Sequence, residues 1–130
     1  MVDTVEVVAV REASVASALD TIAWELELAG ARCIKLDSLI GAVIDQLPQD
    51  AREQLVQGLH TVDLLAQHLT GISAFTRELG GCVAPEFKLQ VGPALAQVTL
   101  GALADRLSTA LGGVEQGIND GDDAGDLDLF

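Results

Sequence analysis

The stretch GLHTVDLLAQHLTG, residues 58 to 71, sets His60, Asp63, Gln67 and His68 among leucines in a helical run. Histidine suggests metal binding or phosphoryl transfer. His60 and His68 are eight residues apart, so on one helix they stand about 12 Å apart, too far to chelate a single ion. A di-iron bundle uses Glu-x-x-His pairs on facing helices. No glutamate here has a histidine three residues later. No metal site and no cofactor of its own are therefore expected in this chain.

Phosphotransfer through histidine asks for particular neighbours. Histidine phosphotransfer domains carry His-x-x-Lys-Gly, where the lysine offsets phosphate charge and the glycine clears space for the docking partner. In HLTGIS, Gly71 follows His68 by three residues, Thr70 precedes it, and no lysine is present. His60 is followed by Thr61 and lacks an adjacent carboxylate. Two solvated or groove-lining histidines are the plainer reading, with phosphotransfer through His68 or His60 kept as an alternative.

Asp63 and Gln67 have the spacing that stacks two side chains one helical turn apart, beside the stripe of Leu59, Val62 and Ala66. Gly71 continues their row and leaves room for a partner. A carboxylate can hold a partner's lysine through a charge-assisted bond, and a neutral amide can both accept from and donate to a water. Hydrolysis of a phosphoryl group asks for little beyond a water held in line with the leaving oxygen. An ordinary surface contact at i, i+4 explains the same pair without chemistry.

The elements that carry these residues follow from apolar periodicity. Leu19, Ile22, Leu26, Ala29, Cys33, Leu36, Ile40, Val43 and Leu47 keep a 3-4 spacing, which predicts a helix with a bundle seam. LPQDAREQ reads as a turn with Asp50 available as a cap. A second helix is expected from about Ala51 to Leu79, with Leu55, Leu59, Val62, Ala66, Leu69 and Ile72 inward, ended by Gly80-Gly81. So short a turn makes the two an antiparallel hairpin about 45 Å long. A third helix is expected from Pro93 to Leu111, with Ala96, Leu100, Leu103, Leu107 and Ala110 in register. TVEVVAV near the start suits strand or helix, and as a strand would pair with FKLQV. The fold class is all-α, with residues 1–113 as a helical bundle domain and 114–130 as a flexible acidic tail.

The 130 residues carry a formal charge of −13, which repels nucleic acid and anionic membrane. MVDTVEVVAVRE lacks the basic and apolar regions of a secretory signal, and no stretch has the roughly 20 apolar residues of a membrane span. A cytoplasmic protein with Cys33 and Cys82 as two buried, reduced thiols is expected.

Asp63-x-x-x-Gln67 in VDLLAQHL, on the second strut of a long hairpin, resembles the active-site motif of the CheZ-type chemotaxis phosphatases. DDAGDLDLF resembles the acidic, amphipathic segment with which those proteins dock on the response regulator CheY, and the small size looks most like the short CheT proteins of rhizobial chemotaxis operons. The resemblance implies a phosphatase for a phosphorylated CheY-like response regulator. Gln67 would orient the attacking water and Asp63 would pair with the regulator's lysine, while the Mg²⁺ and phosphoaspartate belong to the partner. Gly71 would lie in the docking surface. Asp126, Leu127, Asp128, Leu129 and Phe130 would tether the regulator and raise its local concentration. The alternative from another class is a non-enzymatic adaptor of signalling proteins, and contact with another chemotaxis-pathway protein is a further expectation.

An apolar content of 49% exceeds what one hairpin hides. Either a homodimer pairs two hairpins as a four-helix bundle or the third helix caps one hairpin.

Overall fold

The computed structural model describes residues 11–112. Along them run β1 (Glu12–Ser14), α1 (Val15–Val43), a 3-10 turn (Ile44–Gln46), α2 (Gln49–Gly81), β2 (Lys88–Gln90), α3 (Gly92–Leu95) and α4 (Gly101–Ala110). The fold is all-α, a long antiparallel helical hairpin with further short helices and one two-stranded ribbon. Among the described residues, no helix is long and apolar enough to cross a membrane.

The chain divides into two compact units, one holding 23–75 and the other 11–22 with 76–112 among the described residues. The 23–75 unit is the closed end of the hairpin. Leu47 is extended, as a residue before proline must be, and this stops the helical turn that precedes it. The Arg52 guanidinium then donates to the Leu47 carbonyl oxygen at 3.1 Å, tying the second helix back onto the turn. Asp50 was expected as the cap. Instead α2 begins earlier, the Arg52 N–H donating to the Pro48 carbonyl oxygen, and Asp50 lies in the first turn, where its charge suits the helix dipole.

Small side chains bring the helices of this unit together. Ala23, Gly30, Ala66 and Ser73 are buried. A Cβ on Gly30 would lie 3.6 Å from Thr70 Oγ1 and 3.8 Å from the Ala66 carbonyl oxygen, ordinary contact distances. The Ser73 hydroxyl donates to the Ala23 carbonyl oxygen at 2.9 Å. Of the expected inward residues of α2, Leu55, Leu59, Val62 and Leu69 are half-buried and Ala66 is buried, whereas Ile72 is 42% exposed. On α1 Leu26, Ala29, Cys33, Leu36 and Ile40 of the expected seam are half-buried, but they flank the closest approach rather than make it. Val43 is 48% exposed, because the row facing α2 is that of Ala23 and Gly30.

In the other unit, Ser14 caps α1, its Oγ accepting from the Ser17 N–H at 3.0 Å. β1 pairs antiparallel with β2 in the register Glu12 to Gln90 and Ser14 to Lys88. Flanking main-chain bonds extend this ribbon, Val15 N–H to Phe87 carbonyl and Val91 N–H to Arg11 carbonyl, both 2.8 Å. The FKLQV segment therefore does pair, but with residues 12–14; TVEVVAV lies outside the described residues. Ile22, also expected in the seam, is 45% exposed, since Ala23 takes the inward position next to it.

α2 continues through Gly80 and Gly81 rather than stopping before them. Cys82 follows in a turn and is exposed, so the expectation of two buried thiols holds for neither cysteine fully, Cys33 being half-buried. The expected continuous third helix is broken. α3 ends at Leu95, Val98 to Leu100 are not helical, and α4 starts only at Gly101 after an extended Leu100. The β-branched pair Val98-Thr99 followed by Gly101 gives the segment little helical preference. Arg11 donates to the Ser108 carbonyl oxygen at 2.8 Å, fastening α4 to the chain before β1.

Candidate functional site

Asp63 and Gln67 lie midway along α2, inside the 23–75 unit, with helix on either side. Their backbone is fixed by the unbroken run of main-chain hydrogen bonds, so only side-chain rotation separates the two groups. Gln67 Nε2 donates to Asp63 Oδ2 at 2.9 Å, and both residues are exposed. The bond holds the Gln67 amide over the preceding turn. It uses one of the two N–H donors of the amide and one carboxylate oxygen, so a carbonyl oxygen, an N–H and further carboxylate lone pairs remain to meet an incoming molecule.

Gly71 continues the row. A Cβ built there meets nothing within 4 Å, so the surface beyond Gln67 is open for close approach. His60 and His68 are exposed on the same helix. At 100° per residue His60 falls within about 20° of Gln67, while His68 is turned by about 100° from it. Among the described residues, no three His, Cys, Asp or Glu side chains gather where one ion could be held. The expected docking residues Asp126, Leu127, Asp128, Leu129 and Phe130 lie outside the described residues.

A second polar feature was not read from the sequence. In the other unit, Arg77 Nη1 and Asp20 Oδ1 form an ion pair at 2.6 Å beside an open depression of about 400 Å³. Ala16, Ser17, Gly80 and Gly81 complete its walls. The pair is 57 residues apart in sequence, and no local spacing announces it.

These parts define a helical-hairpin protein with an acid and an amide displayed on the outer surface of its second strut. The chain belongs to the DUF8776 family, a domain of unknown function, whose model matches residues 11–130. No curated protein and no solved structure matches it.

Proposed function

We propose that this chain accelerates loss of the phosphoryl group from the phosphoaspartate of a CheY-like response regulator, acting in the cytoplasm in chemotaxis signalling. The observation that carries the reading is the exposed Gln67 amide, bonded to Asp63 one turn earlier and followed by the open surface at Gly71. A water-positioning amide needs a defined orientation and free polar atoms, and this one has both.

In this reading the regulator presents its phosphoaspartate, Mg²⁺ and lysine. Asp63 receives the lysine, and Gln67 enters beside the phosphoryl group. There it holds a water in line with the bond to the aspartyl oxygen. The water attacks phosphorus, the acyl phosphate bond breaks, and the regulator's carboxylate leaves with inorganic phosphate as the second product. The chain contributes positioning and needs no metal of its own. The sequence of Asp126 to Phe130 supplies a tether.

A phosphate-release assay with a phosphorylated CheY-like regulator tests this. Accelerated release by the wild-type chain, lost in Gln67→Ala, supports the reading. Label transferred to His60 or His68 would point to phosphotransfer instead, and binding without acceleration to an adaptor.

A further inference from the structure

Among the described residues β1 and β2 form a two-stranded ribbon, so each strand has one edge paired and one edge open. The main-chain bonds from Val15 to Phe87 and from Val91 to Arg11 fix which residues face which edge. Antiparallel pairing alternates, so Phe87, Leu89 and Val91 turn their N–H and C=O groups towards β1, and Lys88 and Gln90 turn theirs outward. The open edge of β2 is the more accessible one, since all three of its residues are exposed whereas Ala13 and Ser14 of β1 are half-buried. Side chains alternate too. Phe87 and Leu89, 60% and 47% exposed, share one face, and Lys88 and Gln90 share the other.

We propose that the chain's own last residues, Asp126 to Phe130, add to this edge as a third, antiparallel strand. The proposal does not depend on the phosphatase reading. Three observations select this occupant. Asp126, Leu127, Asp128 and Leu129 alternate acid and apolar with a period of two, the pattern of a strand with one polar and one apolar face. The register matches as well. With Asp128 opposite Lys88, Leu127 lies beside Leu89, Leu129 beside Phe87, and Asp126 opposite Gln90, so apolar meets apolar and acid meets base or amide. Phe130 falls opposite Glu86, and Glu12 is one strand further away, so no like charges stand directly opposed. A parallel strand loses this match, setting either Leu129 beside the already buried Val91 or Asp126 beside Glu86. The third observation is where this segment starts. Arg11 donates to the Ser108 carbonyl oxygen and is itself bonded to Val91, the residue after β2. The chain beyond α4 therefore sets out beside the Gln90 end of the edge, where an antiparallel strand has to begin. From Gly112 to Asp126 it can extend by up to about 46 Å, ample to reach it, and the short connection keeps the local concentration of the segment high. A partner that takes Leu127, Leu129 and Phe130 has to displace them from β2, so the ribbon edge and the partner compete for the same residues.

Residue-resolved amide hydrogen exchange on the full chain tests this. The Lys88 and Gln90 amides are expected to exchange about tenfold more slowly in the wild type than in the Leu127→Ser/Leu129→Ser double variant, which leaves the ribbon itself untouched. The Leu89 amide, which faces β1, is expected to keep its rate in both. Lys88→Glu is expected to speed exchange at Gln90, and Lys88→Arg to leave it slow. Equal rates at Lys88 and Gln90 in the wild type and the serine pair overturn the proposal. So does an equal speeding at Leu89, which would mean a general loosening of the ribbon. Protection that grows with protein concentration, the result if a second copy supplies the strand, overturns it as well.

Discussion

The side-chain hydroxyl of Ser73 donates to the main-chain carbonyl oxygen of Ala23 at 2.9 Å, joining the two helices of the hairpin across 50 residues of sequence. Both residues are almost wholly buried, so the bond forms where water does not compete. Ser73→Ala is expected to lower unfolding free energy by about 1 kcal/mol in urea titration. Ser73→Leu forces a large side chain against Ala23 and is expected to cost more, about 1–3 kcal/mol. Equal stability of wild type and Ser73→Leu would contradict the close approach at this level.

Gln67 and Asp63 are expected to separate rate from binding. Gln67→Ala keeps regulator affinity and lowers the rate of phosphate release by about 100-fold, because the water loses its position. Asp63→Ala weakens both affinity and rate, whereas His68→Ala alters neither greatly. The exposed pair adds only about 0.2–0.5 kcal/mol to the helix, so thermal unfolding of these variants stays near that of the wild type.

Two glycines of α2 are expected to respond differently to alanine. A Cβ at Gly71 meets open space, so Gly71→Ala gains helix preference and stabilises by about 0.5–1 kcal/mol. At Gly80 the added Cβ would lie 3.3 Å from Leu19 Cβ and 3.5 Å from the Ala16 carbonyl oxygen, so the gain is offset by displaced neighbours. Thermal melts of both variants compare them directly. Gly71→Trp should melt below Gly71→Ala, tryptophan being the weaker helix former, and is expected to bind the regulator more weakly by filling the docking surface.

Ser14 and Arg77 rank two other contacts. Ser14→Ala removes the hydroxyl that caps α1 and is expected to cost about 1 kcal/mol. Arg77→Ala breaks an ion pair whose side chains are 41% and 65% exposed, and is expected to cost well under 1 kcal/mol, less in high salt. Denaturant midpoints at low and high ionic strength decide the order.

Removing residues 119–130 is expected to weaken regulator binding without changing the melting temperature of the hairpin. Unchanged affinity in a titration would exclude the tether.

The hairpin was legible because large apolar residues at 3-4 spacing mark both helices and Leu47-Pro48 marks the turn. The direction in which each helix faces the other was not. Periodicity weighs Ile22, Ile72 and Val43 heavily, yet the helices meet through Ala23, Gly30 and Ser73, whose small size lets the backbones approach. The ribbon was only half legible, since EAS and KLQ have no apolar alternation and are held by main-chain bonds from Val15 and Val91. The break between α3 and α4 was hidden because Leu100, Leu103 and Leu107 stay in helical register across it. The Asp63–Gln67 contact was readable because both groups belong to one helix; the Asp20–Arg77 pair was not, because tertiary folding creates it.

Within the 23–75 unit the acid and the amide project, exposed, from the convex surface of one helix. A helix's outer surface, taken by itself, has no walls with which to enclose a small phosphate ester or strip it of solvent. If the chain acts as the phosphatase proposed above, discrimination comes from the shape of whatever folds around the helix, and free acetyl phosphate or an aryl phosphate is expected to be left intact while the phosphorylated regulator is turned over.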